Sequence, residues 1–451
     1  MSWVIFEPRD WDFNGVQHKG RLLGHSLSRS SNADPDDNPL IEANPIRSPY
    51  PGAMRRLTPS TTLPYLMVLV LGVVGGRFFD YAFYQEPVLF GQTFGLLFQV
   101  SSTFVALLLW LPVQNREKLN GLALAIFGTL AILWILITIH ARLDNSAFNY
   151  SALTTPLILL MIIWKPPTRT TAWRLADFSF ALLALTAVLA QLLDTFGIRD
   201  PRMLDTRWSL PLLDFDLGFR WEGFFGDPNN AGFIGAALVV YGLHRFGSLR
   251  IALATVGLAI VVFSESRTAL LALAAGLIIT FVTSRYYISR QIRPVLTIGL
   301  LTAALVFGAS LVWIMDSSLN GRVDIWKAFV ELFASAPFSG VGWSGINLAA
   351  ETSRIPWQNS DGHNVAVDAF ARHGLIVGIL VTGVLAASMG LAFKVRLHDD
   401  GTTLSVLTVW LMGALTYTVT TWQNLNVLLV PFILMLLLAA SLSASDREPA
   451  R

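Results

Sequence analysis

From Leu63 to Leu442 the chain is a succession of long apolar stretches broken by short polar ones. The hydrophobic positions neither alternate with period two nor keep to one helical face, so the pattern is that of helices apolar all round. A helix crossing a hydrocarbon core about 30 Å thick needs about twenty such residues. The pattern predicts about twelve such spans, centred near Leu69, Leu97, Ala131, Leu159, Leu185, Ala237, Val256, Ala274, Ala304, Val384, Leu411 and Leu436. The runs around Leu159 and Val256 are short, which leaves a count of one fewer open. No stretch between the spans is large enough for a separate soluble domain, so the predicted fold is an all-α integral membrane protein.

Residues 1–60 break the pattern, being rich in Asn, Asp, Pro, Ser and Arg with no sustained apolar run. Such a composition does not bury a core, and the segment is expected to be a disordered cytoplasmic tail ahead of a transmembrane domain over 61–445. It has no apolar core or small-residue cleavage site of a secretory signal, so the first span is expected to act as the uncleaved insertion signal.

Composition supports the membrane assignment. Of 451 residues, 53% are hydrophobic and 14% charged, with a mean hydropathy of +0.55, whereas soluble domains carry about 25% charged residues. The net charge of +2 gives no electrostatic case for nucleic acid as a partner. The absence of cysteine excludes disulfides, thiolate metal sites and a cysteine nucleophile. With both termini inside, about two thirds of the 32 Lys and Arg fall on inner segments, which sets the orientation. That topology leaves two long outer segments, 197–224 and 316–362. Long loops are functional or disordered, and these contain many Trp, Phe and Leu, so chemistry is expected on the outer side.

Three clusters there carry the unusual residues. Arg220 to Asn230 runs into the sixth span, where Asp227-Pro228 reads as a helix N-cap and first helical residue; the bland alternative is a well-capped helix with an interfacial Trp and Arg. Ser264-Glu265-Ser266-Arg267-Thr268 is a tight turn before the eighth span, with Arg267 either snorkelling to headgroups or held as a cation whose fork matches phosphate oxygens. His363-Asn364 precedes the tenth span and is followed by Asp368 and Arg372 at the spacing of a helix-surface ion pair, then His373, which reads as structural. His363 alone is equally consistent with a solvated loop histidine. All three spans run from outside to inside, so their positive dipole ends share one face. With Arg220 and Arg267 beside free backbone amides, those helix starts form a candidate pyrophosphate cradle, which Arg322 either joins or does not. Further along, Trp326, Phe329, Val330 and Phe333 predict the packing face of a short interfacial helix. Ala336 to Trp343 reads as a glycine-rich turn with a backbone role.

The ordered set Arg220-x-x-Gly223-x-Phe225-x-x-Pro228-Asn229, Ser264-x-Ser266-Arg267, Arg322-x-x-x-Trp326, Gly340-x-Gly342, and His363-Asn364 with Gly374 and Gly378 resembles the O-antigen ligase and polymerase superfamily of bacterial membrane glycosyltransferases. The motifs span residues 220–384. The resemblance implies an undecaprenyl-pyrophosphate-linked glycan as donor and a saccharide or lipid A-core acceptor. It implies a site at the periplasmic face of the inner membrane, with a short helical periplasmic region between spans nine and ten. It also implies that Arg220 and Arg267, with Arg322, hold the pyrophosphate, that His363 acts near the acceptor hydroxyl, and that Pro228, Asn229, Ser266 and Asn364 support them. The reaction is expected to need no metal or other cofactor and to invert the anomeric carbon.

The chemistry is consistent with that resemblance. Preorganised cations stabilise a leaving pyrophosphate, and an imidazole of ordinary pKa, about 6.5, suits deprotonation of a hydroxyl. A helix amino terminus is expected to keep His363 neutral. Within the superfamily, ligase and polymerase share the donor site, and acceptor identity is not legible. Two rivals come from other classes. The first is a divalent metal held by Asp214 and Asp216, or by Asp80 and Glu86. The second is a transporter or flippase, which would favour internal repeats and intramembrane charges; Asp177 and Gln191 are the main polar residues within spans.

Overall fold

The computed structural model describes residues 59–82, 87–89, 92–113, 118–144, 154–196, 221–283, 322–356, 362–416 and 429–445. The segment 1–58, Arg220, Asp214, Asp216, Glu86 and the expected span around Ala304 lie outside the described residues.

Among the described residues the fold is helical, apart from a two-stranded antiparallel ribbon of β1 (Pro87–Leu89) and β2 (Gln92–Thr93). In chain order the helices are α1 (Pro59–Tyr65), continued by a π-helical stretch Leu66–Gly75 into α2 (Gly76–Ala82), then α3 (Phe94–Trp110), α4 (Gly121–Leu143), α5 (Thr154–Trp164) and α6 (Arg169–Thr195). They are followed by α7 (Pro228–Leu243), α8 (Gly247–Ser264), α9 (Arg267–Thr283), α10 (Arg322–Ser335), α11 (Gly342–Glu351), α12 (Val365–Val395), α13 (Thr402–Thr416) and α14 (Leu429–Ser445). Every expected span centre except Ala304 falls inside one of these or the π-helical stretch. Among the described residues, five stretches are long and apolar enough to cross a membrane: Thr62–Ala82, Gly121–Ala141, Arg169–Thr195, Gly247–Ser264 and Val365–Val395. Several others are apolar but shorter.

The reason these helices require lipid is visible on α4. One side buries Ile126, Phe127, Leu133 and Ile137, while Leu124, Ile132, Ile135 and Ile139 are exposed on the other. Water would not tolerate so extended an apolar surface. Inside the bundle, small residues let the helices of the site approach closely, as is usual in membranes. A Cβ on Gly235 or Gly257 would stand 2.7 or 2.6 Å from the other's carbonyl oxygen, and one on Gly232 would meet Ala269 at 2.6 Å. Helices α7, α8 and α9 are thereby locked together.

Far from the start of α7, Arg245 pairs with Asp177 at 2.7 Å, stacks over Trp173 at 4.2 Å, and the Tyr241 hydroxyl donates to Asp177 at 2.8 Å. The charge within α6 is therefore a bundle pin.

Helices α10 and α11 fall in the long 316–362 segment and pack on α12 through a small core of Ile325, Phe329, Leu332, Ile346 and Ile355. The expected face of Trp326, Phe329, Val330 and Phe333 is rotated by about one position. Ile325, Ala328, Phe329 and Leu332 are buried, whereas Val330 is 56% exposed. Both sets have helical spacing: Phe329 belongs to both, Phe333 packs edge-on against Phe370 of α12 at 5.5 Å, and Val330 is the member of the expected face that turns away.

Candidate functional site

Three helix starts come together. Asp227 caps α7, its carboxylate accepting the Asn229 amide at 2.7 Å, with Pro228 in the first turn. Ser266 caps α9, accepting the Ala269 amide at 3.2 Å, and its hydroxyl donates to Asn229 Oδ1 at 2.8 Å. Asn364 caps α12, accepting the amides of Ala366 and Val367 at 3.0 and 3.1 Å. Its Nδ2 donates to the Leu415 carbonyl at 2.9 Å, tying the start of α12 to the end of α13. Arg267 is the first residue of α9 and Arg322 the first of α10.

His363, just ahead of the Asn364 cap, is in the electrostatic reach of Arg322, Asp227 and Asp368. Burial first, and the Arg322 charge second, push its pKa down to about 4, opposed by the two carboxylates. The expectation of a neutral imidazole therefore agrees with the geometry, but desolvation rather than the helix end is the main cause. The ordinary pKa of about 6.5 does not apply: His363 is neutral over a wider range and is a weaker base.

The caps take part of what the helix starts offer an anion: one amide each at α7 and α9 and two at α12, and α7 already holds the carboxylate of Asp227 at its positive end. Guanidinium groups therefore supply the larger share of positive charge there. One further expectation is corrected: the Asp368–Arg372 pair is not on the helix surface. Arg372 is 3% exposed and its Nε donates to both Asp368 oxygens at 2.8 Å, because the turn before α11 folds over it.

That turn has the backbone role its glycines suggest. Gly374, at φ 80° and ψ −174°, interrupts α12, and the main-chain groups freed there are taken by the turn. Val341 N–H donates to Ala371 O at 2.9 Å and Leu375 N–H to Pro337 O at 2.8 Å. Gly340, at φ 70°, lies so close that a Cβ would overlap the Arg372 carbonyl. His373 packs within the fold, its Nδ1 2.9 Å from His140 Nδ1. Asp144 holds the start of α11, accepting the Ser344 amide at 2.8 Å.

Sequence reasoning missed Arg77, from α2. Its Nε donates to the Phe224 carbonyl at 3.1 Å, and its Nη2 is 2.5 Å from where a Cβ on Gly226 would stand. Nothing local marks it, since its partner is more than a hundred residues away. Trp221 is pinned by its amide to Phe263 O at 2.9 Å, which brings the residue after Arg220 to the end of α8. Asp80, one of the rival metal ligands, caps the start of α3 by accepting the Gly95 amide at 2.9 Å. Among the described residues no group of three or more His, Asp or Glu is placed to hold a metal ion.

Residues 251–382 match the family model described as O-Antigen ligase. The match takes in Arg267, Arg322, His363, Gly340 of the turn and Gly374 of the α12 kink. No curated protein matches the chain.

Proposed function

We propose that this multi-pass membrane protein, whose residues 251–382 match the family model described as O-Antigen ligase, transfers a glycan from undecaprenyl pyrophosphate to a saccharide acceptor at the periplasmic face of the bacterial inner membrane. The observation that carries the reading is that His363, just ahead of α12, lies within the electrostatic reach of Arg322 at the start of α10 and of Asp227 at the start of α7, while the Ser266–Asn229 bond brings the start of α9, and with it Arg267, to the start of α7. A base and guanidinium groups are what the reaction requires.

In this reading Arg267 and Arg322, with Arg220, hold the two phosphates and match the charge that develops as the anomeric C–O bond to pyrophosphate breaks. The acceptor hydroxyl attacks from the opposite face, inverting the carbon, and gives its proton to His363. Undecaprenyl pyrophosphate leaves as the other product. The imidazolium formed is stabilised by Asp227, and the bound pyrophosphate offsets the Arg322 charge that otherwise holds His363 down. Donor binding thus makes His363 a better base. Pro228, Asn229, Ser266 and Asn364 act by fixing the helix starts. The guanidinium groups supply the positive charge, so no divalent ion is required.

The test is transfer by the full chain in proteoliposomes, from an undecaprenyl-pyrophosphate-linked oligosaccharide to core-only lipopolysaccharide, with and without chelator. Product in both conditions, lost in Arg267→Ala, is the expected result. Loss on chelation would move the chemistry to Asp214 and Asp216, and product from Arg267→Ala would remove that residue from the site. The same donor chemistry serves a polymerase, and replacing the core acceptor by a second donor-linked glycan distinguishes the two.

A further inference from the structure

His363 sits at φ 47°, in the left-handed region. A side chain there costs of order 1 kcal/mol, and the conformation persists only where the surroundings fix it. On one side Asn364 does so, through its cap and its bond to Leu415. On the other, the Gly362 amide donates at 3.2 Å to Oδ1 of Asp368, whose carboxylate reaches back from the first turn of α12. Asp368 cannot swing away, because Arg372 Nε grips both of its oxygens and the Arg372 guanidinium lies 3.9 Å over the Trp343 ring. A buried pair of this kind is weak evidence for stability, since apolar replacements are often neutral or better. Here its far end is the amide of Gly362, the residue just before His363.

We propose that Asp368 is the positioning residue for His363: clamped by Arg372 and Trp343, its carboxylate fixes the Gly362 peptide, sets the imidazole in one orientation toward the acceptor hydroxyl, and lends negative charge to the imidazolium. The proposal rests on His363 acting as the base in the reading above. The charged groups acting on His363 are Arg322 of α10, Asp227 ahead of α7 and Asp368 of α12. Removing Asp368 therefore leaves one carboxylate against one guanidinium.

The experiment compares Asp368→Asn, Asp368→Asn with Arg372→Gln, Asp368→Glu and His363→Ala in the proteoliposome assay with the undecaprenyl-pyrophosphate-linked oligosaccharide. The double variant leaves no unpaired buried charge, which guards against loss of folding. Its kcat is expected to fall at least about tenfold, within the range general-base catalysis supplies. Its donor KM should be unchanged, and the acid limb of its activity should move to lower pH. Asp368→Glu should return the limb but not the full kcat. Wild-type kcat and limb in the double variant, or an effect confined to donor KM, would overturn the positioning role. Transfer by His363→Ala would instead overturn the site reading and this inference with it.

Discussion

At His363 the burial and the Arg322 charge that lower the pKa to about 4 fix how activity should respond to pH. The imidazole stays neutral as pH falls through 6.5 and gains its proton only near 4, so the acid limb of kcat/KM should lie near 4. With pyrophosphate bound, Arg322 is partly neutralised, so the limb of kcat should lie at higher pH than that of kcat/KM. Equal limbs, measured in the reconstituted assay, would contradict the coupling. Gly340 and Gly374 make a second prediction at this scale. Both sit at positive φ with no room for a Cβ, so either glycine replaced by alanine should lower stability by about 2 kcal/mol or more, read as a fall in thermal midpoint in detergent. Local residues announced some of this: Asp227-Pro228 is a cap by its own chemistry. They could not announce that Asp368 and Arg372 are buried, because i,i+4 spacing says nothing of what folds over a pair. Nor could they reveal Arg77, whose contact exists only once α2 packs against the turn at Phe224 ahead of α7.

Among the elements, the start of α12 is the hinge of the account, because Asn364 both caps the helix and ties it to α13. Asn364→Asp keeps the capping oxygen and loses the donor to Leu415. Asn364→Ala loses both and should cost about 1 kcal/mol more, the usual value of a cap. Thermal midpoints of the two variants check the difference, and equal midpoints would deny the cap its role. Asp177 is the comparable device at the other end of α7. Asp177→Ala strands the buried Arg245 charge and should cost about 3 kcal/mol, while Asp177→Ala with Arg245→Met should recover most of it, measured the same way. Apolar length alone made the described helices around eleven of the expected span centres legible, but not α11, which opens inside what reads as a glycine-rich turn. The face of α10 was not legible either, because Ile325-Ala328-Phe329-Leu332 and Trp326-Phe329-Val330-Phe333 have the same helical spacing, and only α12 decides between them.

Across the whole molecule, α7, α9 and α12 start at one end of the bundle, as charge placement and span order together imply. The chain has no cysteine, so single-cysteine variants report sidedness without further change. A membrane-impermeant maleimide applied from the periplasm should label Asn347→Cys, on α11, and leave Lys394→Cys, at the far end of α12, untouched; the reverse would invert the molecule. The central claim, that these helix starts assemble a pyrophosphate site beside a separate base, is tested most directly by binding of undecaprenyl pyrophosphate to the full chain in nanodiscs. His363→Ala should bind it as the wild type does while transferring nothing, and Arg267→Ala and Arg322→Ala should each bind at least about tenfold more weakly, as expected for loss of a charge-assisted hydrogen bond. Undiminished binding by both arginine variants, or transfer by His363→Ala, would contradict it.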